Sequence, residues 1–394
     1  MNNISADDRL YIKEADGIRA LCVLGVMSYH IWQQSWLSPC FSIGSLRIDL
    51  TPFVRAGYEF VDLMLMLSGF LLFLPCAVCA LEGKKQPDTG RFYLKRIARI
   101  VPAYLIVTAV CLIIALMEGQ YADRGEMLRD LIPHLTFSQV LFGPSYIGTR
   151  LNTALWTLAV EMEFYLIFPL ISRAFAKKPL LTYAAMIAAA FGYRGFVAAR
   201  FTDTTLYINQ LPAMLDVYAN GCLAAYVCAY LKKQDGGEKA REAFFTVCAC
   251  ACAVMIWKLF QNQSYESGYD RIRLGQMNRR FPLSFAGALM LLSLSLSVKP
   301  VRFAFGNPVS RFLSAVSYEM YLWHSVIMLR LKAWRIPAYI AEADPQMNGE
   351  PVWQLRYTLL CFAATIVFAS VMTYLIEKPA SKAISRIGKR KTGQ

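Results

Sequence analysis

Two ionisable side chains, Arg19 and His30, lie in the first apolar stretch of the chain, which runs from Asp16 to Trp32 as DGIRALCVLGVMSYHIW. Their spacing of eleven residues is three helical turns plus roughly 20°, so both share one helix face, about 16 Å apart along the axis. Ionisable groups in a membrane-spanning helix are costly and normally face a polar interior, a pathway or a site. Because imidazole can serve as a base or as a nucleophile, His30 is the first candidate for a catalytic residue.

Two glutamates, Glu161 and Glu163, lie in another apolar stretch, LNTALWTLAVEMEFYLIFPL. They are two residues apart, about 200° around a helix, so they cannot form a paired carboxylate site. We expect one of them to face His30 and to set the tautomer and basicity of its ring. Asp16 is about 21 Å from His30 along the same helix, too far for that role, and we expect it to pair with a nearby arginine.

Two arginines, Arg96 and Arg99, precede a further apolar stretch in RFYLKRIARIVPAY. They are three residues apart and therefore neighbours on one helix face. One interpretation is a pair of membrane anchors whose charged ends reach the surface. The other is a phosphate clamp, because guanidinium groups match the oxygens of a phosphate. Spacing alone leaves both interpretations open.

A late apolar stretch, SYEMYLWHSVI, places Tyr318, Tyr321, His324 and Ser325 along one helix face. An aromatic stripe of this kind is typical of ordinary packing, but a histidine inside a membrane needs a partner. Tyr321 and His324 could position a substrate or stabilise a developing oxyanion, a role that any well-placed donor can fill.

The composition indicates a polytopic membrane protein, because 56% of the 394 residues are hydrophobic and only 17% are charged. The formal net charge is +14, but the basic residues are concentrated in short loops, so they indicate membrane topology rather than nucleic-acid binding. Most of the eleven cysteines lie inside apolar segments and are expected to be reduced, buried side chains. The pair Cys76 and Cys79 is a weak signal by itself, so no metal site is predicted.

About ten segments are apolar enough to cross about 30 Å of hydrocarbon. We predict these spans at residues 17–37, 53–80, 98–117, 152–172, 180–199, 211–231, 243–260, 281–298, 311–331 and 353–376. An even number places both termini on one side, and the lysines and arginines after the second, fourth and sixth segments and in the tail make that side cytoplasmic. The sequence therefore predicts an all-α polytopic membrane protein with both termini in the cytoplasm.

The seventh loop departs from this charge pattern, because it would place four arginines outside: Arg271, Arg273, Arg279 and Arg280. Either they form a surface for an anionic ligand or the helix count is wrong nearby, and we favour the ligand surface. A second external loop, residues 118–151, contains His134, which we expect to be solvated. No linker or repeat is visible, so the chain is predicted to be a single membrane-embedded domain over residues 1–394.

Six blocks together resemble the membrane acyltransferase-3 family by their order and intervals. They are DGIRALCVLGVMSYH, GYEFVDLMLMLSGF, RFYLKRIARIVPAY, LWTLAVEMEFYLIFPL, SYEMYLWH and YLIEKP, between residues 16 and 379. The resemblance implies about ten spanning helices and transfer of an acyl group, often acetyl from acetyl-CoA, to a hydroxyl of a cell-envelope glycan, a lipid-linked sugar or another exported molecule. Some relatives carry an additional esterase-like domain after the last helix, which we expect to be absent because the chain stops about fifteen residues after Pro379.

The same resemblance assigns roles to individual residues. Arg19 and His30 match the family's arginine and histidine on the first helix, and Glu161 rather than Glu163 matches its glutamate on the fourth. His30 would be the base or nucleophile, and Glu161 its carboxylate partner. The family's paired arginines before the third helix correspond here to Arg96 and Arg99.

The implied donor is acyl-CoA, bound as a substrate rather than as a permanent cofactor. Arg96 and Arg99, assisted by Arg19, would hold its phosphates at the cytoplasmic face of a bacterial membrane. Direct transfer in a ternary complex and an acyl-histidine intermediate both remain open. The acceptor, the acyl-chain length and the oligomeric state are not determined by the sequence.

The alternative function is a transporter or flippase for a glycan or a lipid-linked intermediate, which ten helices with buried charges would also suit. A transporter would not need a clamp for CoA phosphates, so loss of Arg96 or Arg99 should leave transport intact. Glycerolipid acyltransferases are excluded, because none of the three histidines is followed by an aspartate five residues later.

Overall fold

The computed structural model describes residues 11–234, 238–339 and 344–391, and these are mostly helical. Within these ranges the helices α1 to α15 are, in chain order, Lys13–Ser35, Thr51–Arg55, Phe60–Leu81, Thr89–Met117, Arg124–Leu135, Gly143–Tyr146, Trp156–Lys177, Pro179–Arg200, Leu215–Lys232, Glu238–Ser264, Tyr269–Leu296, Lys299–Gly306, Pro308–Ala333, Pro351–Met372 and Lys378–Lys391. A π-helical turn, Thr373–Glu377, joins α14 to α15. The predicted helical membrane fold is confirmed.

One short β-hairpin was not predicted. Strands β1 (Cys40–Ile43) and β2 (Leu46–Asp49) pair antiparallel, with Cys40 opposite Asp49, and Gly44 in the turn has a φ of 60°. A positive φ is easily adopted by glycine because it has no Cβ. The segment was missed because two four-residue strands contain too few residues for an alternating pattern to stand out beside long apolar runs.

Among the described residues, seven helical segments are long and apolar enough to cross a membrane. They are Gly57–Leu81, Thr89–Met117, Thr153–Lys177, Pro179–Arg200, Leu211–Lys232, Lys239–Ser264 and Pro351–Ile384. A further pair, Asp270–Leu296 and Lys299–Ala333, is bent by 118° and would make eight if it counts as one span. Each of the ten predicted spans overlaps a helix, but the count of ten is not established by length and composition.

Helix α1 is outside this set because its sequence is less apolar. Arg19, His30 and two glutamines lie within the helix, and such residues lower its suitability for a bilayer. Nevertheless Cys22, Val23 and Met27 on the same helix have no exposed surface. The predicted cytoplasmic position of both chain ends concerns residues 1–10 and 392–394, which lie outside the described ranges.

The fold divides into two compact units, each assembled from separate stretches of chain. Unit 1 contains the chain up to Cys22, then Glu59–Pro87 and Phe164–Ala315. Unit 2 contains Val23–Tyr58, Asp88–Glu163 and the chain from Val316 onward.

Unit 1 is built around the close packing of α3 against α9. A Cβ on Gly69 would lie 2.6 Å from the carbonyl oxygen of Tyr218, and one on Gly221 would collide with the carbonyl oxygen of Met66. Small residues let two helix backbones approach in this way, which is a frequent device in membrane proteins. Gly69 and Gly221 are therefore packing residues that permit this contact.

Unit 2 has its core where α4, the start of α7, α13 and the end of α14 meet. The buried residues of this core are Ala103, Tyr104, Val107, Cys111, Leu151, Leu155, Leu158, Leu322, Trp323 and Met372. Cys111 belongs to this apolar cluster, and Cys22, Cys222, Cys228 and Cys361 are buried elsewhere, as expected. This core fixes the helices that carry most of the candidate site.

The expected arginine loop is instead the beginning of helix α11, which starts at Tyr269 rather than near residue 281. Three of its four arginines have internal acidic partners. Arg273 bonds Asp203 at 2.7 Å, Arg279 contacts Glu266 at 3.4 Å, and Arg280 bonds Asp62 at 3.2 Å. Acidic side chains of the protein itself therefore pair with three of the four arginines that we interpreted as an anionic ligand surface.

Candidate functional site

His30 and His324 form a hydrogen-bonded pair of imidazoles in unit 2. The His30 Nδ1 lies 2.7 Å from the His324 Nε2, and the two rings are nearly parallel, with centroids 5.0 Å apart. His324 has no exposed surface, whereas His30 remains partly exposed. The pair therefore combines a fully buried residue, His324, with one, His30, that keeps part of its surface exposed.

The His324 ring is held by its own helix. The His324 Nδ1 lies 2.7 Å from the carbonyl oxygen of Tyr321, one turn earlier in α13, and the Ser325 hydroxyl lies 3.3 Å from the His324 Nε2. Thus His324 has the partner that a histidine in an apolar helix requires. That partner is His30, which is 294 residues away in sequence.

The His30 ring is positioned by a close crossing of the chain over α1. A Cβ on Gly57 would collide with the carbonyl oxygen of Gly25 and lie 2.7 Å from the Cβ of Tyr29. Tyr29 in turn packs edge-on against Tyr58, with ring centroids 5.0 Å apart, and its ring centroid lies 5.3 Å from that of His30. Gly57 therefore brings the Tyr58 ring close to the helix turn that carries the catalytic candidate.

Tyr321 is committed to the packing of α13 against the start of α7. Its hydroxyl donates to the carbonyl oxygen of Ala154 at 3.0 Å and accepts from the Thr157 hydroxyl at 2.8 Å. Asn152 adds a bond from its Nδ2 to the carbonyl oxygen of Leu322 at 2.8 Å. The Tyr321 proton is thus already donated within the protein, and the predicted substrate-positioning role would require that bond to break.

Arg96 and Arg99 lie near the beginning of α4, which is capped by the Asp88 carboxylate through the Arg91 backbone N–H at 2.8 Å. Both guanidinium side chains are half-buried, and the Arg96 Cζ lies 5.9 Å from the ring centroid of Phe92. The pair therefore lies on a well-formed helix, and the phosphate clamp is still a prediction.

Helix α4 is fastened to α13 beside the arginine pair. The Tyr318 hydroxyl donates to the carbonyl oxygen of Ile100 at 2.8 Å. Tyr318 is one turn before Tyr321, so one face of α13 bonds α4, α7 and α1 in succession. The residues predicted to share a face do so, and that face links the arginine segment to the histidine pair.

Glu161 is half-buried on α7 and lies within electrostatic range of Tyr318 and Tyr321. The hydrogen-bond partner that the structure gives to His30 is His324, not a carboxylate. A direct pairing of Glu161 with His30 is therefore still a prediction.

Two further glutamates in unit 2, Glu319 and Glu377, were not identified from the sequence. Glu319 has no exposed surface and accepts from the Trp323 Nε1 at 2.9 Å, and Glu377 lies in the π-helical turn within electrostatic range of both Glu319 and Arg99. Both glutamates lie in blocks that carry the family resemblance, SYEMYLWH and YLIEKP, but no role was predicted for either of them. π-Helical turns occur frequently at functional sites.

Arg19 belongs to unit 1, where it is linked to Asp16 through a serine. The Arg19 Nη1 donates to the Ser314 hydroxyl at 3.2 Å, and that hydroxyl donates to Asp16 at 2.7 Å. Asp16 therefore does associate with a nearby arginine, through a bridge that the sequence did not indicate. The joint role of Arg19 with Arg96 and Arg99 stays a prediction.

His134 is buried rather than solvated, so that expectation is wrong. Only 1% of the residue is exposed, its Nδ1 lies 2.8 Å from the carbonyl oxygen of Asp130, and its own carbonyl oxygen accepts from the Tyr104 hydroxyl. Burial lowers the pKa of His134 below its ordinary value, because it disfavours the charged ring. The histidine anchors α5 to α4.

Comparison with known proteins agrees with the residue pattern. The model of the family described as "Acyltransferase domain", acyltransferase-3, matches residues 12–375. That range includes every site residue that the sequence predicted, from Arg19 to His324. No solved structure matches the chain.

Three curated relatives from bacteria show what the chain is similar to. Peptidoglycan O-acetyltransferase OatA of Listeria monocytogenes is 23% identical over 97% of this chain and 58% of its own length. A candidate O-acetyltransferase of Staphylococcus aureus is 24% identical over 94% of this chain and 58% of its own length, and a candidate peptidoglycan O-acetyltransferase, YrhL, of Bacillus subtilis is 22% identical over 94% and 55%. The chain thus spans little more than half of these relatives, and by the family match it belongs to the acyltransferase-3 family of membrane proteins.

Proposed function

We propose that this chain is an O-acetyltransferase that moves an acetyl group from acetyl-CoA to a hydroxyl of a cell-envelope glycan. The observation that carries the proposal is the His30–His324 pair, two hydrogen-bonded imidazoles on apolar helices of a membrane acyltransferase family. The names of the relatives point to peptidoglycan as the first acceptor to test. They do not favour the transporter alternative.

In this proposal the chain crosses a bacterial cytoplasmic membrane ten times, with both termini inside. The overlap of a helix with each predicted span supports the count, and the lysines and arginines of alternate loops support the orientation. Acetyl-CoA would then arrive from the cytoplasm, where α4 begins with its arginine pair.

Arg96 and Arg99 would bind the phosphates of CoA, with Arg19 assisting. Guanidinium groups suit this task because their donors form a planar fork that matches phosphate oxygens. Support comes from the placement of both arginines on one face of α4, and from the Tyr318 bond that fixes the adjacent backbone at Ile100.

His30 would act on the acceptor hydroxyl. As a base it takes the hydroxyl proton while the oxygen attacks the thioester carbonyl; the C–S bond then breaks and the CoA sulfur receives the proton. As a nucleophile it would carry the acetyl group itself before the acceptor takes it. In both routes CoA and an acetyl ester are the products, with Glu161 as the proposed carboxylate of the site and Tyr321 and His324 as positioning groups.

The test is acetyl transfer from radiolabelled acetyl-CoA to peptidoglycan in membranes that contain equal amounts of the intact chain or of single variants. We expect label in the glycan with the intact chain and with Ser28→Ala, a control on the same helix whose hydroxyl bonds the carbonyl oxygen of Leu24 one turn earlier. We expect at least a 100-fold loss with His30→Ala, which removes the reacting imidazole. Transfer that survives His30→Ala would exclude His30 as the catalytic group.

The arginine pair separates the two function classes. Arg96→Ala and Arg99→Ala should raise the KM for acetyl-CoA, whereas the exposed neighbour Lys95→Ala, which removes the same charge, should not. If both arginine variants keep full transfer, the phosphate clamp is wrong. If the intact chain transfers no label but supports movement of a glycan intermediate across the membrane, the transporter replaces the acetyltransferase.

A further inference from the structure

The hydrogen-bond chain through the two histidines determines where their protons lie. A carbonyl oxygen can only accept, so the 2.7 Å contact with the Tyr321 carbonyl requires a hydrogen on the His324 Nδ1. A neutral imidazole carries one N–H, and the His324 Nε2 is therefore an acceptor. The Ser325 hydroxyl at 3.3 Å from this nitrogen is compatible, because a hydroxyl can donate.

The hydrogen bond between the two imidazoles then determines the tautomer of His30. The His30 Nδ1 is 2.7 Å from the His324 Nε2, so one of the two atoms must carry a hydrogen. Since the His324 Nε2 is the acceptor, the hydrogen is on the His30 Nδ1. In the opposite tautomer two lone pairs would face each other at this distance. The His30 Nε2 is left with its lone pair available for chemistry.

A positively charged His324 would carry a hydrogen on its Nε2 as well and would donate to the His30 Nδ1, which reverses the direction of the hydrogen bond. The surroundings of His324 disfavour that charge. His324 has no exposed surface, and within the described residues its hydrogen-bond partners are backbone carbonyl groups, a hydroxyl and the other imidazole. None is a carboxylate. Burying a cation without a counter-charge is costly, so the neutral form is favoured.

We propose that His324 is a positioning residue that holds His30 as the Nδ1–H tautomer and so presents the Nε2 as the reacting atom. This inference rests on the proposed acetyltransferase function. When the His30 Nε2 takes the acceptor proton, the Nδ1–H bond to His324 becomes charge-assisted and stabilises the imidazolium. A neutral histidine then fulfils the orienting role that a carboxylate has in hydrolase triads. The proton leaves again with the CoA sulfur as the C–S bond breaks.

The tautomers can be read directly by NMR, without any substrate. The chain has only three histidines, so 15N-histidine labelling in lipid nanodiscs gives a simple spectrum, which His30→Ala and His324→Gln assign. We expect both His30 and His324 as Nδ1–H tautomers. A protonated Nε2 on neutral His30 would overturn the inference, whether or not the chain transfers acetyl groups.

Kinetics of two variants test the consequence. The amide oxygen of His324→Gln can accept near the position of the Nε2, whereas His324→Leu removes the acceptor. We expect the Leu variant to lose about 100-fold in kcat with an unchanged KM for acetyl-CoA, and the Gln variant to stay within about 10-fold of the intact chain.

Thermal unfolding of both variants shows whether they fold. If the Leu variant does not fold, the activity of the Gln variant and the NMR spectrum still test the inference. The inference is overturned if the folded Leu variant keeps kcat within about threefold, or if a folded Gln variant is as slow as Leu. An intact chain without transferase activity would instead refute the proposed function, while the NMR result on the tautomers would stand.

Discussion

Arg280 and Asp62 form an ion pair in which neither side chain is more than 1% exposed. The Arg280 Nε lies 3.2 Å from both carboxylate oxygens, its Nη1 donates to the carbonyl oxygen of Ile208 at 2.6 Å, and its Nη2 donates to the Asn209 side chain at 3.1 Å. Each nitrogen of this guanidinium is therefore used inside unit 1. The charge stabilises the helix contact between α3 and α11 and is not available to an external anion.

Removing the acid of this pair should destabilise the protein strongly. Asp62→Asn leaves a buried guanidinium without its counter-charge, a change that typically costs about 3–5 kcal/mol. Glu82→Gln is the matched control, because its contact with Lys84 lies at the surface and is screened by water. Thermal unfolding in detergent should show a large fall in midpoint for the first variant and almost none for the second. Equal midpoints would mean that the buried pair contributes little.

The sequence predicted the elements better than their contacts. Apolar run lengths located a helix at each predicted span, in the best case within one residue, as for 180–199 against Pro179–Arg200, because a span needs a continuous apolar segment. Helical spacing also placed Tyr318, Tyr321 and His324 on one face correctly. These are local properties, which periodicity determines.

The partners of the buried polar residues could not be predicted in the same way. His30 and His324 are 294 residues apart, and Asp62 and Arg280 are 218 apart. Which of several buried acids or imidazoles meets a given residue depends on tertiary packing, and one sequence does not determine it. The same reason explains why α11 was interpreted as a charged loop: its arginines look exposed until their acidic partners are known.

Substitution by alanine should have opposite effects on stability at Gly57, where the chain crosses α1, and at Gly192, which lies in open space. Gly57→Ala would force a methyl group into the Gly25 carbonyl oxygen, and overpacking of this kind costs about 1–3 kcal/mol. Gly192→Ala in α8 meets open space and should stabilise the helix by up to about 1 kcal/mol. Unfolding midpoints in detergent measure both effects. Because Gly57 packs against the helix turn before His30, acetyl transfer should fall only in the first variant; unchanged transfer and stability would contradict the crossing.

The bond between Tyr318 and Ile100 predicts an effect on the donor rather than on the chemical step. Tyr318→Phe removes one hydrogen bond, worth about 1 kcal/mol, and loosens α4 beside Arg99. We expect the KM for acetyl-CoA to rise about fivefold and kcat to change less than twofold. Tyr183→Phe is the control, because it removes an equivalent bond to Asn220 in unit 1. A change in kcat without a change in KM would place Tyr318 at the reacting groups instead.

His134 predicts how stability depends on pH. Its helix α5 is not among the candidate spans, and burial lowers the pKa of its ring in the folded protein, although the Asp130 carboxylate 3.4 Å away acts in the opposite direction. In the unfolded chain a histidine titrates near pH 6.5. Above that pH the ring is neutral in both states, so this residue does not change the free energy of unfolding. As the pH falls below about 6.5, the unfolded chain binds a proton that the folded protein does not, and stability is lost.

The measurement is the unfolding midpoint between pH 8 and pH 5 for the intact chain and for His134→Asn. The asparagine amide can still donate to the Asp130 carbonyl oxygen but does not titrate, so it preserves the hydrogen bond and removes the proton linkage. Other acids and bases titrate equally in both proteins, and the difference between the two curves therefore isolates His134. We expect the intact chain to lose more stability than the variant below about pH 6.5 and the two curves to run parallel above it. Parallel curves over the whole range would show that His134 accepts a proton as readily in the folded protein as in the unfolded chain. A steeper loss of stability in the variant would mean that protonation of His134 stabilises the fold through Asp130.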